Sequence, residues 1–105
     1  MNLEVILERL CTARGVIAAA FVTADGGTLA AGGEPIDPRD AELARSVQSD
    51  TELALVRGRR GHFRCGPIGT LLVVAEPTAD AGDVRFHTSV AWTSLRIRSS
   101  RPPAN

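Results

Sequence analysis

The stretch from Gly15 to Ala31 contains two apolar segments that are separated by a short glycine turn. The first segment, Val16–Val22, is apolar at odd and even positions alike, and residues 25–27 (Asp-Gly-Gly) separate it from Thr28–Ala31. This pattern is typical of two antiparallel strands in a hairpin, because the turn glycines accept positive φ without steric cost. A strand that is apolar on both faces must be covered on both faces. The first segment is therefore predicted to be a central strand.

A second run that is apolar on both faces, Thr70–Ala75, follows a turn formed by residues 66–69. It also needs cover on both sides, so it is predicted to be a second central strand lying beside the first. The sheet that contains both strands is expected to have helices above and below it.

The segment from residue 51 to residue 57 is compatible with two structures. It could extend the preceding helix, but Leu53 and Leu55 alternate with less apolar neighbours as in a half-buried strand, and we favour the strand. A turn at residues 58–61 then leads into a further strand. Its side chains are predicted to point alternately inward, at Phe63 and Cys65, and outward, at His62 and Arg64.

Three amphipathic helices are predicted from the spacing of apolar residues. The first covers residues 2–14, with Asn2 as its N-cap and Gly15 at its end. The second starts after the cap residue Asp37, with a proline at its first position. The third covers residues 83–98, and the candidates to cap it are Thr78, Asp80 and Asp83.

Two features of these helices bear on partners. The second helix has a small apolar face, Ala41, Ala44 and Val47, which its own sheet can cover, with Leu43 on the flank. Phe86 and Trp92 of the third helix are interpreted first as core residues, and the alternative is that they anchor a partner protein.

Composition limits the classes of function. The 105 residues are enough for one modest domain, and twelve basic and twelve acidic residues cancel, which argues against a nucleic-acid partner. The apolar runs are much shorter than the roughly 20 residues that span a bilayer. No signal peptide is recognisable, so we expect no membrane insertion and a cytoplasmic protein.

No motif for catalysis, metal binding or cofactor binding is found. Cys11 and Cys65 are not spaced as a metal-ligand pair, and His62 and His87 form no zinc motif. An activated Cys65 thiol is the alternative, but the adjacent Arg64 points to the other face of a strand, which favours an ordinary core cysteine. We therefore expect neither a cofactor nor an enzyme.

The chain resembles the roadblock family, which includes the dynein light-chain roadblock proteins and bacterial MglB-like regulators. The resemblance covers about residues 2–98 and depends on the order helix, two strands, helix, three strands, helix. The segments that carry it are Leu7–Leu10, Gly15–Val22, Asp25–Gly27, Gly66-Pro67 and Gly69–Ala75. One departure from the family pattern is a short second helix.

The resemblance implies an α/β (α+β) domain with the roadblock/profilin-like three-layer α-β-α sandwich and the topology αββαβββα. Its five-stranded antiparallel sheet has the strand order 2-1-5-4-3, with the second helix on one face and the other two helices on the opposite face. We expect one domain over residues 1–98 and a disordered tail over residues 99–105, which contains two prolines.

The resemblance also implies a non-enzymatic homodimeric adaptor that modulates a Ras-like small GTPase, in bacteria alongside a sensor kinase. The alternative is a sensory or scaffold module that binds a small ligand or peptide. The second helix or the strand at 51–57 is the expected site of pairing. The arginine-rich turn nearby is interpreted first as a solvated hairpin tip, and the alternative is a contact for an acidic partner surface. The candidate interface residues are Leu43, Val47, Arg57, Arg59 and Arg60.

Overall fold

The computed structural model of the chain describes residues 2–23, 25 and 27–100, with the backbone alone for residues 98–100. Three helices and five strands follow one another in the predicted order αββαβββα. They are α1 (Leu3–Cys11), β1 (Val16–Thr23), β2 (Thr28–Gly33), α2 (Pro38–Ser46), β3 (Thr51–Ala54), β4 (Arg60–Gly66), β5 (Gly69–Ala75) and α3 (Ala81–Ser100), with a short 3-10 turn at Val56–Gly58.

The five strands form one antiparallel sheet in the order β2-β1-β5-β4-β3, as the family resemblance implied. The two predicted central strands are neighbours, in a register that pairs Val16 with Ala75 and Thr23 with Gly69. Every residue of β5 is buried, and five consecutive residues of β1 are buried as well. Unbroken apolar sequence therefore identified the centre of the sheet correctly.

Each face of the sheet has its own apolar core, so the molecule is a three-layer α-β-α sandwich. On one face α1 and α3 lie side by side, and Leu7, Leu71 and Trp92 belong to the larger cluster. On the other face α2 packs on the sheet through Ala44, whose cluster includes Phe63. Since strand residues alternate between faces, these two cores follow directly from the sequence pattern of β1, β4 and β5.

Carboxylate and amide side chains cap the three helices. The side-chain oxygens of Asn2 and Asp37 accept hydrogen bonds from the backbone N–H groups of Val5 and Arg39, each at 2.9 Å. Asp80 accepts from the Asp83 N–H at 2.9 Å, so Asp80 caps α3 among the three candidates. These bonds satisfy donors that the first turn of a helix leaves free.

Several element ends differ from the prediction. α1 ends at Cys11 with Thr12 as its C-cap, three residues before the predicted end, and β2 continues to Gly33, two residues beyond the predicted segment Thr28–Ala31. α3 starts at residue 81 and extends to Ser100, two residues beyond the predicted limit of the domain. The rest of the predicted tail, residues 101–105, lies outside the described residues.

The predicted strand at 51–57 ends at Ala54. Leu55 donates its N–H to the carbonyl oxygen of Arg59 at 2.7 Å, which closes the chain into a tight turn instead of prolonging the strand. Inside that turn Arg57 has φ 62°, and it is the one non-glycine residue with positive φ in the described part of the chain. Arginine has no preference for this conformation, so nothing in the sequence indicates it.

None of the helices within residues 2–100 combines the length and the apolar character that crossing a membrane would require.

Candidate interaction surfaces

The α2 face of the molecule carries two of the predicted interface residues. α2 has nine residues, as short as the sequence indicated, and Ala44 on its inner side is 1% exposed. Leu43 and Val47 are half-buried and pack against the edge of the same apolar cluster. Both therefore help to hold α2 on the sheet, and both still present apolar surface at its flank.

Asp40 joins α2 to the turn after β3. An acidic residue in the first turn of a helix is expected there for its charge alone, but the Asp40 side chain is buried. Its Oδ1 accepts a hydrogen bond from the Val56 N–H at 3.3 Å, which anchors the arginine-bearing turn to the first turn of α2. No periodicity in the sequence identifies a tertiary contact of this kind.

Arg57 and Arg59 lie beside the start of α2. They line a shallow cavity of about 230 Å³ together with Asp37 and Asp40. Arg59 is half-buried and pairs through Nη2 with Oε2 of Glu34 at 3.2 Å, whereas Arg57 is exposed. The cavity therefore has both cationic and anionic side chains at its margin.

Arg60 is on the opposite face of the sheet. It is the first residue of β4, and alternation along the strand places it on the same face as His62 and Arg64, whereas Phe63 faces α2. The structure therefore divides the predicted arginine group. Arg57 and Arg59 lie near α2, and Arg60 lies with the side chains that face α3.

A polar cluster joins the edge strand β3 to β4 and α3. Oε2 of Glu52 accepts a hydrogen bond from Nε of Arg85 at 2.6 Å, and Oε1 of Glu52 lies 3.7 Å from Nδ1 of His62. The hydrogen bond from Arg85 is the main reason that the pKa of Glu52 is lowered. Through the Glu52–Arg85 contact, the edge strand β3, which has only four residues, is bonded to α3.

The prediction that His62 points outward to solvent was wrong. Its side chain does lie on the face opposite Phe63, but α3 covers that face, and the residue is 4% exposed. Burial lowers the pKa of His62, and it outweighs the attraction to the Glu52 carboxylate, which acts in the opposite direction. The alternation of residues along β4 predicted the side of the strand on which His62 lies, but it could not indicate that α3 covers that side.

A second group of contacts continues the polar cluster toward the end of β4. Arg64 donates from Nη1 to Oδ2 of Asp50 at 3.1 Å and from Nη2 to the hydroxyl of Ser89 in α3. Asp50 also accepts the backbone N–H of Cys65 at 2.9 Å. Asp50 is thus bonded to β4, and Arg64 links β4 to α3.

The two cysteines are free and partly buried. Burial raises the pKa of the Cys11 thiol, and the sulfur of Cys65 lies 3.7 Å from the hydroxyl of Thr70 and 3.8 Å from the Val47 carbonyl oxygen. Among the described residues, histidine, cysteine and carboxylate side chains form no group of three that could hold a metal ion. The molecule presents surfaces with charged and apolar groups. The polar side chains described above form hydrogen bonds and ion pairs between its helices and strands.

Sequence comparison finds no family model that matches the chain and no significantly similar curated protein. Solved structures do resemble it. A Roadblock/LC7 domain from Streptomyces avermitilis has a TM-score of 0.76 at 17% identity, over 96% of this chain and 100% of that domain. MglB from Myxococcus xanthus has a TM-score of 0.76 at 14% identity, over 94% and 96% of the two chains. MglC from the same organism has a TM-score of 0.75 at 13% identity, over 93% and 99%.

The likeness spans nearly the whole of each compared chain, and it includes the strand order and the three helices. The chain has the roadblock fold.

Proposed function

We propose that this chain is a non-enzymatic homodimeric regulator in the cytoplasm, which binds a Ras-like small GTPase and modulates its cycle, in company with a sensor-kinase system. The roadblock fold is the single observation that carries this proposal, since the family resemblance implies that role. Fold by itself does not determine function, so the proposal also needs surfaces that suit dimerisation and GTPase binding.

The α2 flank and the β3 edge support a dimer. Leu43 and Val47 keep apolar surface at the flank of α2. β3 is an edge strand, and an edge strand leaves backbone donors and acceptors free for pairing with a second chain. A two-fold contact across this edge would place the same apolar residues of both copies together.

The Arg57–Arg60 turn supports contact with an acidic surface of the GTPase. Arg57 is exposed and its backbone is held in a sparsely populated conformation, which is a common feature of binding sites. A regulator that repositions the switch loops of a GTPase needs no catalytic group of its own. The proposed role of these arginines is therefore positioning by charge, through faster and more specific association.

The small-ligand alternative has weaker support. The cavity beside α2 has an apolar wall formed by Ala18, Ile36 and Val74, but its volume of about 230 Å³ is below the roughly 300–1,000 Å³ typical of ligand pockets. Two other cavities, of about 360 and 550 Å³, reach that size. The larger one is lined mainly by charged and polar residues, whereas ligand pockets are predominantly apolar.

Affinity capture with matched variants tests the proposal. The tagged chain is exposed to lysate of the source organism containing GDP or a non-hydrolysable GTP analogue, and captured proteins are identified by mass spectrometry. We expect enrichment of a Ras-like GTPase, and we expect Arg57→Glu to reduce it at least tenfold because the charge at the contact is reversed. Arg14→Glu, a reversal at an exposed site between α1 and β1, is the control.

Light scattering on the same proteins tests the dimer. Leu43→Glu should shift the chain toward monomer, whereas Leu29→Glu, which places the same charge at an exposed leucine on the opposite edge of the sheet, should not. A strict monomer, or capture without any GTPase while the protein is folded, would contradict the proposal.

A further inference from the structure

The outward side of α3 carries a stripe whose apolar side chains are more than half exposed. Phe86, Val90 and Ile97 are 64%, 52% and 63% exposed, and Thr93 between them is exposed as well. The core-facing side of the same helix is formed by other residues, among them Val84, Ala91, Trp92 and Leu95. We name the four exposed residues Phe86, Val90, Thr93 and Ile97 the α3 stripe. The interpretation of Trp92 as core is thus confirmed, and that of Phe86 as core was wrong.

The spacing of the α3 stripe is that of a helix-pairing seam. Its members are separated by four, three and four positions, which is the alternation of a and d positions in a heptad repeat. The stripe is about 16 Å long, because eleven residues rise 1.5 Å each. This is the pattern with which one helix packs against another at a shallow angle.

The same spacing is unchanged when it is read in the opposite direction. We propose that the α3 stripe binds the α3 stripe of a second copy of this chain, with the two helices antiparallel. A two-fold axis then places Phe86 on the partner's Ile97 and Val90 on the partner's Thr93, each contact occurring twice. The large side chains meet at the two ends, and the smaller ones meet at the centre, where the helices can approach closely.

The charges beside the stripe are compatible with this pairing. On one flank, Arg85 and Arg96 of opposite copies come near each other, and Arg85 is already paired with Glu52. The carboxylate of Glu52 therefore offsets the approach of the second arginine. On the other flank lie exposed Asp83 and His87.

The contact is weak by itself. Complete burial of an aromatic side chain removes only about 150–250 Å² from water, so three partly exposed side chains supply less than the roughly 800 Å² per partner of a standard interface. The inference goes beyond the proposed function and does not depend on it. Because α2 and α3 lie on opposite faces of the sheet, a dimer formed at α2 has two α3 stripes pointing outward, and their pairing would link dimers into larger assemblies at high concentration.

Sedimentation velocity over a range of concentrations tests the pairing. The wild-type chain should form a larger species as its concentration rises. Val90→Glu should raise the concentration required at least tenfold, because it buries a carboxylate at the centre of the seam. Thr93→Leu should lower that concentration, because it completes the apolar seam. Leu29→Glu introduces the same carboxylate at an exposed apolar residue of β2, outside α3, and it should behave like the wild type.

Disulfide trapping tests the antiparallel register. In a background with both native cysteines replaced by serine, a mixture of the Val90→Cys and Thr93→Cys chains should cross-link as a heterodimer under mild oxidation. A parallel pairing would instead cross-link Val90→Cys with itself. Identical concentration dependence for the wild type, Val90→Glu and Thr93→Leu would overturn the proposal and assign the stripe to a helix of another protein. Because these readouts need neither the α2 contact nor a GTPase, their failure is distinguishable from failure of the proposed function.

Discussion

Two glycines illustrate how much a single residue depends on its surroundings. Gly58 and Gly69 both have positive φ, at 74° and 145°. A Cβ atom added at Gly58 would have no heavy atom within 4 Å, whereas one added at Gly69 would lie 2.3 Å from the carbonyl oxygen of Val22. Both sites therefore need positive φ, but only Gly69 lies far outside the left-handed helical region and also lacks space for a Cβ atom.

Alanine substitution at these two sites compares the cost of positive φ at an open site with the cost of positive φ at a site that has no space for a Cβ atom. Gly58→Ala should cost about 1 kcal/mol of unfolding free energy from backbone strain alone. Gly69→Ala should cost at least about 2 kcal/mol more, because the β1–β5 pairing must shift to accommodate the methyl group. Urea unfolding of both variants measures the difference. Equal losses would show that β5 can move away from β1 without cost.

At the scale of the residue, the sequence predicted conformation better than it predicted partners. The caps Asn2 and Asp37 were recognisable because their side-chain types and positions have a known local use. The contacts of Asp40 and His62 were not recognisable, because each depends on an element that is distant in the chain. The candidate interface residues Leu43, Val47, Arg57, Arg59 and Arg60 stay predictions, although the structure separates Arg60 from Arg57 and Arg59.

At the scale of the element, α3 covers the face of β4 that carries His62 and buries that side chain. His62 is held there beside Glu52, with Arg85 and Arg60 nearby. Because burial lowers the pKa of His62, the unfolded chain binds a proton to this residue at a higher pH than the folded chain does. Folding stability should therefore fall as the pH decreases below about 6.5, the ordinary pKa of histidine.

The histidine contribution can be isolated by substitution. His62→Gln should remove the loss of stability that His62 causes below about pH 6.5. It should leave the loss at lower pH, where protonation of Glu52 breaks its bond with Arg85. Thermal unfolding of the wild type and the variant from pH 7.5 to pH 4.5 gives the comparison, and His87→Gln at an exposed site is the control. Parallel pH profiles for the wild type and His62→Gln would contradict this account.

The element boundaries show what periodicity can and cannot specify. The existence and type of all eight elements were predicted, since each has apolar spacing of its own. The end of β3 was misplaced because alternation continues through Leu55, where the chain is already turning. The outer side of α3 was misjudged at Phe86, because an apolar side chain in an amphipathic pattern is ordinarily assigned to the core.

At the scale of the whole molecule, the strand order could not be obtained from the periodicity. That two strands are central followed from apolar residues on both faces. That they are the first and the last strand, with β2 and β3 at the edges, came from the family resemblance, and the structure confirmed it. The two halves of the chain, before and after the loop at residues 47–50, therefore each supply one of the two central strands.

This division predicts the behaviour of the two halves. A fragment of residues 1–48 contains β1 without β5, and a fragment of residues 49–105 contains β5 without β1. Each should be largely unfolded alone, because a central apolar strand loses its neighbour, and in the second fragment β5 also loses its contact with α2. Mixing them should restore helical and strand signals in circular dichroism in a one-to-one ratio. A folded isolated fragment would show that the central pair is not the basis of the fold.

The pairing of β1 with β5 also has a consequence during synthesis. β1 leaves the ribosome long before residues 69–75, the strand that completes its hydrogen bonding. For the time needed to translate about fifty residues, at about 5–20 residues per second, the most apolar strand of the nascent chain has only β2 beside it. We therefore expect a chaperone that binds short apolar segments of nascent chains to bind this chain at Val16–Thr23.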